Sequence, residues 1–349
     1  YDAVSASGLL DANQATFGQR VVPNYHFDKA EVIVSFGADF LGTWISPIEY
    51  AAGYAKGRKI EDNNNPKMSR HYQFESYMSM TGSNADHRVL VKPSEQGAAI
   101  LALHNAIASK AGGTSAGSPK VNAKAAKAIK VIADDLLAAK GKSLVISASN
   151  DVNEQTVVNA INNMLSNYGA TIDFGAYSNQ RQGDDKAMAQ LVKDMNAGSV
   201  DAVMVYGDAN PVYDLSNGAQ FAAGLKKVGT SVSMSGMPNE TSVACKYTAP
   251  DHHFLEAWGD AEPKNGQYSL VQPTISPLFN TRSAITSFLT WAGSDVVKGE
   301  TVVVETASDS TTISTDTVSV KTEVKEKWNQ LGLGFKKIPR NLFSSTREL

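Results

Sequence analysis

Two stretches of the sequence share one pattern, an apolar strand that runs directly into a turn containing glycine. They are residues 30–39, AEVIVSFGAD, and residues 201–211, DAVMVYGDANP. A glycine between a strand and a helix leaves free backbone N–H groups at the carboxyl end of the strand, where α/β folds bind nucleotide-like ligands. The two stretches therefore predict two doubly wound units in series, each with a turn that can hold a phosphate-bearing ligand.

Apolar runs of strand length alternate with segments of helical periodicity along most of the chain. The expected strands are 31–36, 69–77, 88–92, 143–147, 201–206 and 230–234, and the expected helices are 40–56, 94–109, 121–139, 153–166, 185–196 and 216–227. This alternation is typical of parallel sheets covered by helices. Residues 1–26 show little sustained periodicity.

The predicted fold class is α/β, with two doubly wound, Rossmann-like units that have mainly parallel sheets, plus a short C-terminal extension of strand and helix. We expect the first unit, with an N-terminal extension, at 1–180, the second at 181–299 and the extension or linker at 300–349. The extension is expected because the composition shifts there to Thr, Ser and Val.

Composition excludes several classes of function. The 349 residues carry a net charge of −3, and no basic stripe indicates nucleic acid as a partner. One cysteine, Cys245, excludes a disulfide framework, a cysteine-ligated zinc site and an iron–sulfur cluster within this chain. No apolar run approaches the roughly 20 residues that span a bilayer. The chain begins with Tyr1 and shows no signal-peptide core, which favours an excised piece of a longer protein.

Six residues are candidate contacts to a bound cofactor. They lie in the two turns and after the last predicted strand: Gly37, Asp39, Gly207, Asn210, Glu240 and Thr241. The same residue types also have structural uses, because glycine permits a tight turn and Asp or Asn caps the next helix. The residues alone leave both interpretations open.

Catalytic machinery is not evident in the sequence. Asp251, His252, His253 and Glu256 bring carboxylates and imidazoles close together, but no complementary cluster elsewhere supports a metal site, so a solvated loop is favoured. No Ser–His–Asp order, Walker loop or paired carboxylates stand out. We therefore predict no catalytic residue and no metal ligand.

Four motifs, taken in order, resemble the molybdopterin oxidoreductase family, which includes dimethyl sulfoxide reductase and formate dehydrogenase. Residues 30–39 are similar to the family's strand and Gly-x-Asn step, and 85–93 are similar to its Ala-Asp…Leu…Pro-Gly-Thr-Asp segment. Residues 205–211 are similar to its Gly-x-Asn-Pro step, and 240–267 to its Glu-Thr…Ala-Asp…Leu-Pro…Glu…Gly block. The resemblance extends over residues 28–295.

The chain departs from the family at positions that matter for its cofactor, molybdopterin guanine dinucleotide. Asp39 stands where Asn is usual, and Ser94-Glu95-Gln96 replaces Gly-Thr-Asp, whose Asp helps to hold the guanine. Ala244-Cys245 replaces an Ala-Asp pair. Bulk and negative charge at residues 94–95 oppose the close backbone approach of a phosphate-rich cofactor. The expectation is that this chain holds no cofactor.

Three further phrases, 17–25, 38–44 and 255–260, resemble the molybdoenzyme-like part of the large iron–sulfur subunits of bacterial alternative complex III. That resemblance implies a cofactor-free scaffold within a respiratory quinol-oxidising complex, on the periplasmic side of the bacterial inner membrane. It implies binding to other subunits and support of an adjoining iron–sulfur domain, with iron–sulfur clusters only in parts of the parent protein outside this chain.

Two alternatives stay open. The chain could be a fragment of an active catalytic subunit, in which Gly207, Asn210, Glu240 and Thr241 contact bis-pterin guanine dinucleotide and the metal ligand lies in a missing N-terminal part. It could also be a two-lobed periplasmic binding protein for a small polar ligand, which the chain length and the strand–helix alternation permit.

Overall fold

The computed structural model describes residues 1–64 and 66–294. Contacts divide this part of the chain into two compact units. Unit 1 comprises Tyr1–Ala202, Asn210–Gly229 and Trp258–Gln272, and unit 2 comprises Val203–Ala209, Thr230–Ala257 and the described residues from Pro273 onward. Each unit is therefore built from segments that are separate in the sequence.

The α-helices within the described residues are α1 (Ser7–Phe17), α2 (Pro47–Arg58), α3 (Met80–Ser83), α4 (Gln96–Ala111), α5 (Ala123–Ala138), α6 (Val152–Met164), α7 (Asp185–Ala197), α8 (Pro211–Asp214), α9 (Gly218–Leu225), α10 (Glu240–Ala244) and α11 (Ala284–Trp291). The strands are β1 (Val22–Tyr25), β2 (Val32–Phe36), β3 (Arg70–Glu75), β4 (His87–Leu90), β5 (Ser143–Ser147), β6 (Ile172–Ser178), β7 (Ala202–Val205), β8 (Thr230–Ser233), β9 (Tyr247–Thr248), β10 (Gly259–Lys264) and β11 (Gln267–Val271).

A four-stranded parallel sheet, which we call the central sheet, organises unit 1. Its strand order is β4-β3-β2-β5, and β2 pairs in parallel with both β3 and β5. The chain runs outward from β2 to β3 and β4, and then returns to form β5 on the other side of β2. The order therefore reverses between β2 and β5, which is the topological switch point where open α/β sheets bind ligands. The α/β fold predicted from the sequence is confirmed.

Strand β2 is buried on both faces, and this explains its unbroken run of apolar residues. Val34 and Phe36 pack with residues of α4, α5 and α6, and the Phe36 ring stacks on Phe74 with the ring centroids 4.6 Å apart. Ile33 points to the opposite face and packs with Phe27 and other aromatic residues. The central sheet thus has a core on each side.

Side chains close the free edge of the central sheet at β5. The buried Asn162 of α6 accepts a hydrogen bond from the Val145 N–H at 3.1 Å and donates one to the Val145 carbonyl at 2.7 Å. Two other carbonyl groups of β5 are bound in the same way: Ser143 O by Thr171 Oγ1 at 2.6 Å, and Ser147 O by Gln155 Nε2 at 2.9 Å. At this edge, side chains satisfy the backbone groups that a neighbouring strand would otherwise satisfy.

Unit 1 also contains an antiparallel sheet that the sequence patterns do not predict. Its order is β1-β6-β10-β11, and its three pairings are all antiparallel. In unit 2, β7, β8 and β9 form a second small sheet, in which β8 and β9 are parallel.

One local expectation is wrong. The helix expected at 40–56 begins only at Pro47, because the carbonyl of Asp39 accepts hydrogen bonds from the N–H groups of Gly42, Thr43 and Trp44 and folds this segment into a turn. The N-terminal region without periodicity contains helix α1. The extension expected at 300–349 lies outside the described residues.

Candidate functional site

The switch point of unit 1 is the place where this fold would bind a ligand. Around it lie the turn after β2, the loop after β5 and the first turns of α4 and α6. We call this region the β2–β5 crevice and define it by Gly37, Gln96, Gly97, Asn150 and Glu154.

Gly37 occupies the turn after β2, as predicted, and its conformation requires glycine. Its φ is +65°, and its N–H donates to the Phe74 carbonyl at 2.7 Å. A Cβ atom at this position would lie 2.8 Å from Gln96 Oε1. The amide of Gln96 therefore lies directly against the Gly37 turn.

Asp39 uses its carboxylate within the fold. Asp39 Oδ1 accepts hydrogen bonds from the N–H of Thr81 at 2.9 Å and from Thr81 Oγ1 at 2.8 Å. Thr81 is fully buried, and its Oγ1 in turn accepts from the N–H of Leu41 at 2.9 Å. Asp39 thus connects the turn after β2 to the short helix α3.

Glu154 lies in the first turn of α6, where Asp151 caps the helix by accepting from the N–H groups of Asn153 at 2.7 Å and Glu154 at 3.1 Å. The Glu154 carboxylate reaches the first turn of α4, so closely that a Cβ atom at Gly97 would overlap Glu154 Oε1. The carboxylates of Asp151 and Glu154 therefore both lie at the amino end of α6, where the helix dipole favours an anion.

The first turn of α1 covers the loop after β5. Asn150 Oδ1 accepts from the N–H of Gly8 at 2.7 Å, and the backbone oxygen of Asn150 lies where a Cβ of Gly8 would be. Gln155 Nε2 lies 2.7 Å from the Ser149 carbonyl in the same loop. The polar groups of the loop are thus bound by neighbouring residues of the chain.

The predicted residues of unit 2 have a different environment. Gly207 follows β7 with a φ of +70°, and nothing lies within 4 Å of the position that a Cβ would take. The next residue, Asp208, holds the loop after β8, with Oδ1 3.2 Å from Ser235 Oγ. Glu240 and the buried Thr241 begin helix α10, which Asn239 caps through the N–H of Ser242 at 2.8 Å.

Asn210, the remaining predicted contact, belongs to unit 1 and precedes the short helix α8. Its carbonyl accepts from the N–H groups of Tyr213 and Asp214, both at 2.9 Å. Asn210 therefore occupies the position before the first turn of α8, but its side chain does not cap that helix.

An open groove of about 240 Å³ lies beside the loop after β8 in unit 2. Its lining is mostly apolar and includes Met237, Pro238 and Val243. The volume is below the usual 300–1,000 Å³ of small-molecule sites. Gly207, Glu240 and Thr241 are not among the described residues that line it.

A row of buried polar side chains follows alternate positions of β3. His71, Gln73 and Glu75 are each at most 3% exposed. His71 Nδ1 lies 3.2 Å from the hydroxyl of Tyr54, and Nε2 lies 3.3 Å from Gln73 Oε1. Glu75 accepts from Ser79 Oγ at 2.6 Å and pairs with Arg88. Burial lowers the pKa of His71 to about 4, so the ring is neutral in the folded protein near pH 7.

The carboxylates of the Asp–His–His segment accept hydrogen bonds from backbone N–H groups. Asp251 Oδ1 accepts from the N–H of Ala284 at 2.7 Å, and Glu256 accepts from the N–H groups of His253 and Leu278, both at 3.0 Å. Within residues 1–64 and 66–294, no group of three or more His, Cys, Asp or Glu side chains is arranged to hold a metal ion.

The sequence patterns did not reveal Glu154 or Gly97 as part of the site. Gln96 was recognised only through the motif at 93–96, as a departure from the family. Glu154 had one detectable signal, a carboxylate three residues after the helix-capping Asp151. That pattern stabilises a helix start anywhere, and it does not point to a crevice.

Helices long and apolar enough to cross a membrane are absent from the part of the chain that the structure describes.

One curated protein is similar to this chain along most of its length. The menaquinone reductase, molybdopterin-binding-like subunit, of Nitratidesulfovibrio vulgaris strain Hildenborough is 26% identical over 298 residues. The match covers 74% of this chain and 42% of that protein, so the chain spans less than half the length of its relative. No family model matches the sequence.

Two solved structures share the fold. Acetylene hydratase from Pelobacter acetylenicus, a molybdopterin enzyme, matches with a TM-score of 0.59 at 11% identity, over 83% of this chain and 51% of that one. The formyltransferase/hydrolase complex from Methylorubrum extorquens matches with a TM-score of 0.52 at 12% identity, over 83% of each chain. In its sequence and in its fold, the chain resembles the molybdopterin oxidoreductase family.

Proposed function

We propose that the chain is a scaffold domain of a respiratory electron-transfer complex, built like a molybdoenzyme but working without the molybdopterin cofactor. It has no active site of its own; it binds other subunits and supports an adjoining iron–sulfur domain. The complex oxidises a quinol, and the chain lies on the periplasmic side of the bacterial inner membrane, associated with the membrane through partner subunits. The similarity to a menaquinone reductase subunit described as molybdopterin-binding-like supports this proposal.

The observation that carries the proposal is the filling of the β2–β5 crevice by the chain itself. Gln96 lies against the Gly37 turn, and the Asp39 carboxylate is bound to Thr81. A phosphate-bearing nucleotide would have to displace the Gln96 amide and would meet the negative charge of Glu154. We infer that these residues oppose the binding of the pterin guanine dinucleotide.

Unit 2 supports a second candidate, the catalytic subunit of a working molybdoenzyme. The open side of Gly207 leaves its backbone accessible to a ligand. In that case Gly207, Glu240 and Thr241 would hold part of the cofactor, which supplies the redox chemistry when bound. We rank this candidate second because the filled crevice of unit 1 opposes it.

Molybdenum and extractable pterin per mole of the full-length parent protein, purified from native membranes, distinguish the two candidates. We expect both to be far below one per protein. A molybdoenzyme purified from the same membranes in the same buffers is the control for cofactor loss. One pterin and one molybdenum per protein would overturn the scaffold proposal and support the catalytic one.

A further inference from the structure

We propose that strand β11 of unit 1 binds an extended segment of a partner polypeptide, which pairs with its outer edge and lengthens the antiparallel sheet. The segment has apolar side chains at alternate positions and a lysine or arginine that meets the carboxylates of β10. This inference rests on the proposed function, because it requires a complex in which the chain binds other subunits.

The hairpin formed by β10 and β11 joins the rest of its sheet near the turn. Strand β10 pairs with β6 where Lys264 lies opposite Ser178. In the turn, the N–H of Asn265 donates to the Tyr177 carbonyl at 2.9 Å. An isolated two-stranded hairpin is only marginally stable in water. A third strand beside β11 would therefore stabilise the part of the hairpin that lies beyond the turn.

The outer edge of β11 is open. This strand is the last in the order β1-β6-β10-β11, and within the described part of the chain its backbone groups bond to β10 alone. The residues from Gln267 to Leu270 are all exposed. The N–H and C=O groups that point away from β10 are thus available to the backbone of an extended segment, which is how peptides bind to sheet edges.

The sequence of β11 favours pairing. Natural edge strands often carry proline or charged residues, which prevent another chain from pairing with them. Strand β11 reads QYSLV, with no proline and no charge, and its tyrosine and valine are typical of strands. The edge of β5 in the same unit is closed by the amide of Asn162. The chain therefore closes one edge and leaves β11 suited to a partner strand.

One face of the hairpin indicates the chemistry of the segment. Tyr268 and Leu270 lie on this face and are 74% and 45% exposed. Asp260 lies opposite Leu270, and the neighbouring Glu262 carboxylate raises the pKa of the Tyr268 hydroxyl. Opposite residues of an antiparallel pair share a face, so apolar side chains and carboxylates lie together here. Apolar residues next to a lysine or arginine would complement this face.

Hydrogen–deuterium exchange tests the proposal on the complex purified from native membranes and on the isolated chain. We expect the outward N–H groups of β11 to exchange at least about tenfold more slowly in the complex, because the added strand binds them. Equally fast exchange in both samples would overturn the proposal. So would slow exchange in the isolated chain that increases with protein concentration, because it would mean that two copies pair.

A photo-reactive p-benzoylphenylalanine at position 268 identifies the occupant within the complex. We expect it to cross-link to a peptide of a different subunit. That peptide should have apolar residues at alternate positions and a lysine or arginine. A cross-link to this chain's own sequence, a cross-linked peptide without these residues, or the absence of a cross-link would each overturn the proposal.

Two substitutions test the chemistry of the face. Leu270→Glu adds a charge to its apolar part, and Asp260→Lys reverses a charge. Each should reduce the protection of the β11 N–H groups in the complex by at least about threefold. Both residues are exposed, so the isolated variants should remain as stable as the wild type. Ile48→Glu, at an 87% exposed position of α2, is the matched control and should keep wild-type protection.

Wild-type protection of β11 in either variant would contradict the assigned chemistry. These outcomes are separate from the cofactor assay. A β11 edge that stays open in a complex without pterin would overturn this inference and leave the scaffold proposal standing. Pterin in the parent protein would overturn the scaffold proposal, whatever is bound at β11.

Discussion

Asp39 was predicted to contact a cofactor, but in the structure its carboxylate binds Thr81. The family's asparagine is replaced by a carboxylate that accepts two hydrogen bonds from the buried Thr81. We predict that Asp39→Ala lowers the free energy of unfolding by about 2 kcal/mol, because the N–H and Oγ1 of Thr81 lose their acceptor. Urea denaturation at pH 7 measures this change.

Asp39→Asn is the informative companion, because its side-chain oxygen can still accept both bonds. It should cost less than half as much as Asp39→Ala. Thr81→Val, which removes only the hydroxyl, should fall between the wild type and Asp39→Ala. An Asp39→Ala protein with wild-type stability would show that the carboxylate is not needed by the fold.

His71 gives a prediction about pH. Its pKa is about 4 in the folded protein because burial disfavours the charged ring, and about 6.5 in the unfolded chain. Between these values the unfolded chain binds a proton that the folded protein does not bind. The contribution of the neutral His71 ring to the free energy of unfolding is therefore fully present above pH 6.5. About 3 kcal/mol of this free energy is lost as the pH falls to 4.

Urea denaturation from pH 4 to pH 7.5 measures this loss, and His71→Gln is the matched variant because glutamine does not titrate. The pKa of His26 is also lowered, mainly by burial, so the difference between wild type and His71→Gln isolates the contribution of His71. Parallel pH profiles for the two proteins would contradict the prediction.

At the scale of elements, the edge of the central sheet depends on one amide of helix α6. Asn162→Ala leaves both the N–H and the carbonyl of Val145 buried without their present partner. We predict a loss of about 3 kcal/mol in the free energy of unfolding. The neighbouring Asn163→Ala is the control, because Asn163 is exposed on the same helix and should cost only a few tenths of a kcal/mol. Equal effects of the two changes would contradict this account.

The helices and strands that the sequence predicted are those with a pattern of apolar residues, because these residues are buried in or against the central sheet. The strand expected at 143–147 coincides with β5, and the helix expected at 121–139 contains α5. Helix α1 was missed because its buried apolar side chains of any size, Leu9 and Leu10, are adjacent, and its other buried residues are small or polar, such as Gly8 against Asn150 and Asn13 bonded to Asn159. Hydrophobic periodicity cannot detect such a helix. Strands β10 and β11 were missed because both are largely exposed and do not alternate.

The sequence predicted only those parts of the candidate site that are formed by residues adjacent in the chain. The glycine turn after β2 follows from adjacent residues, and the positive φ of Gly37 agrees with it. The contacts that fill the crevice join distant segments, such as Gly97 and Glu154, and depend on how α4 and α6 pack. A residue's type and neighbours do not contain that information, although family motifs did mark residues 94–96 as unusual.

For the whole molecule, the two compact units interleave along the chain, with 210–229 and 258–272 belonging to unit 1. Composition and linkers in a sequence can indicate only boundaries between consecutive domains. The interleaving of the two units depends on long-range contacts, which those signals do not contain. The ordered family motifs carried more information about the whole, because they reflect an architecture and not a local preference. They resemble a family whose fold two solved structures share with this chain.

The edge of β5 also restricts how the molecule can be assembled with others. An unpaired edge strand is a template on which another chain can add a strand, either a legitimate partner or an aggregating copy. Here the outward carbonyl groups of Ser143, Val145 and Ser147 are already bound by side chains. Another chain therefore cannot extend the central sheet through these three carbonyl groups without displacing the side chains that bind them. The same arrangement removes one route by which copies of the chain would aggregate.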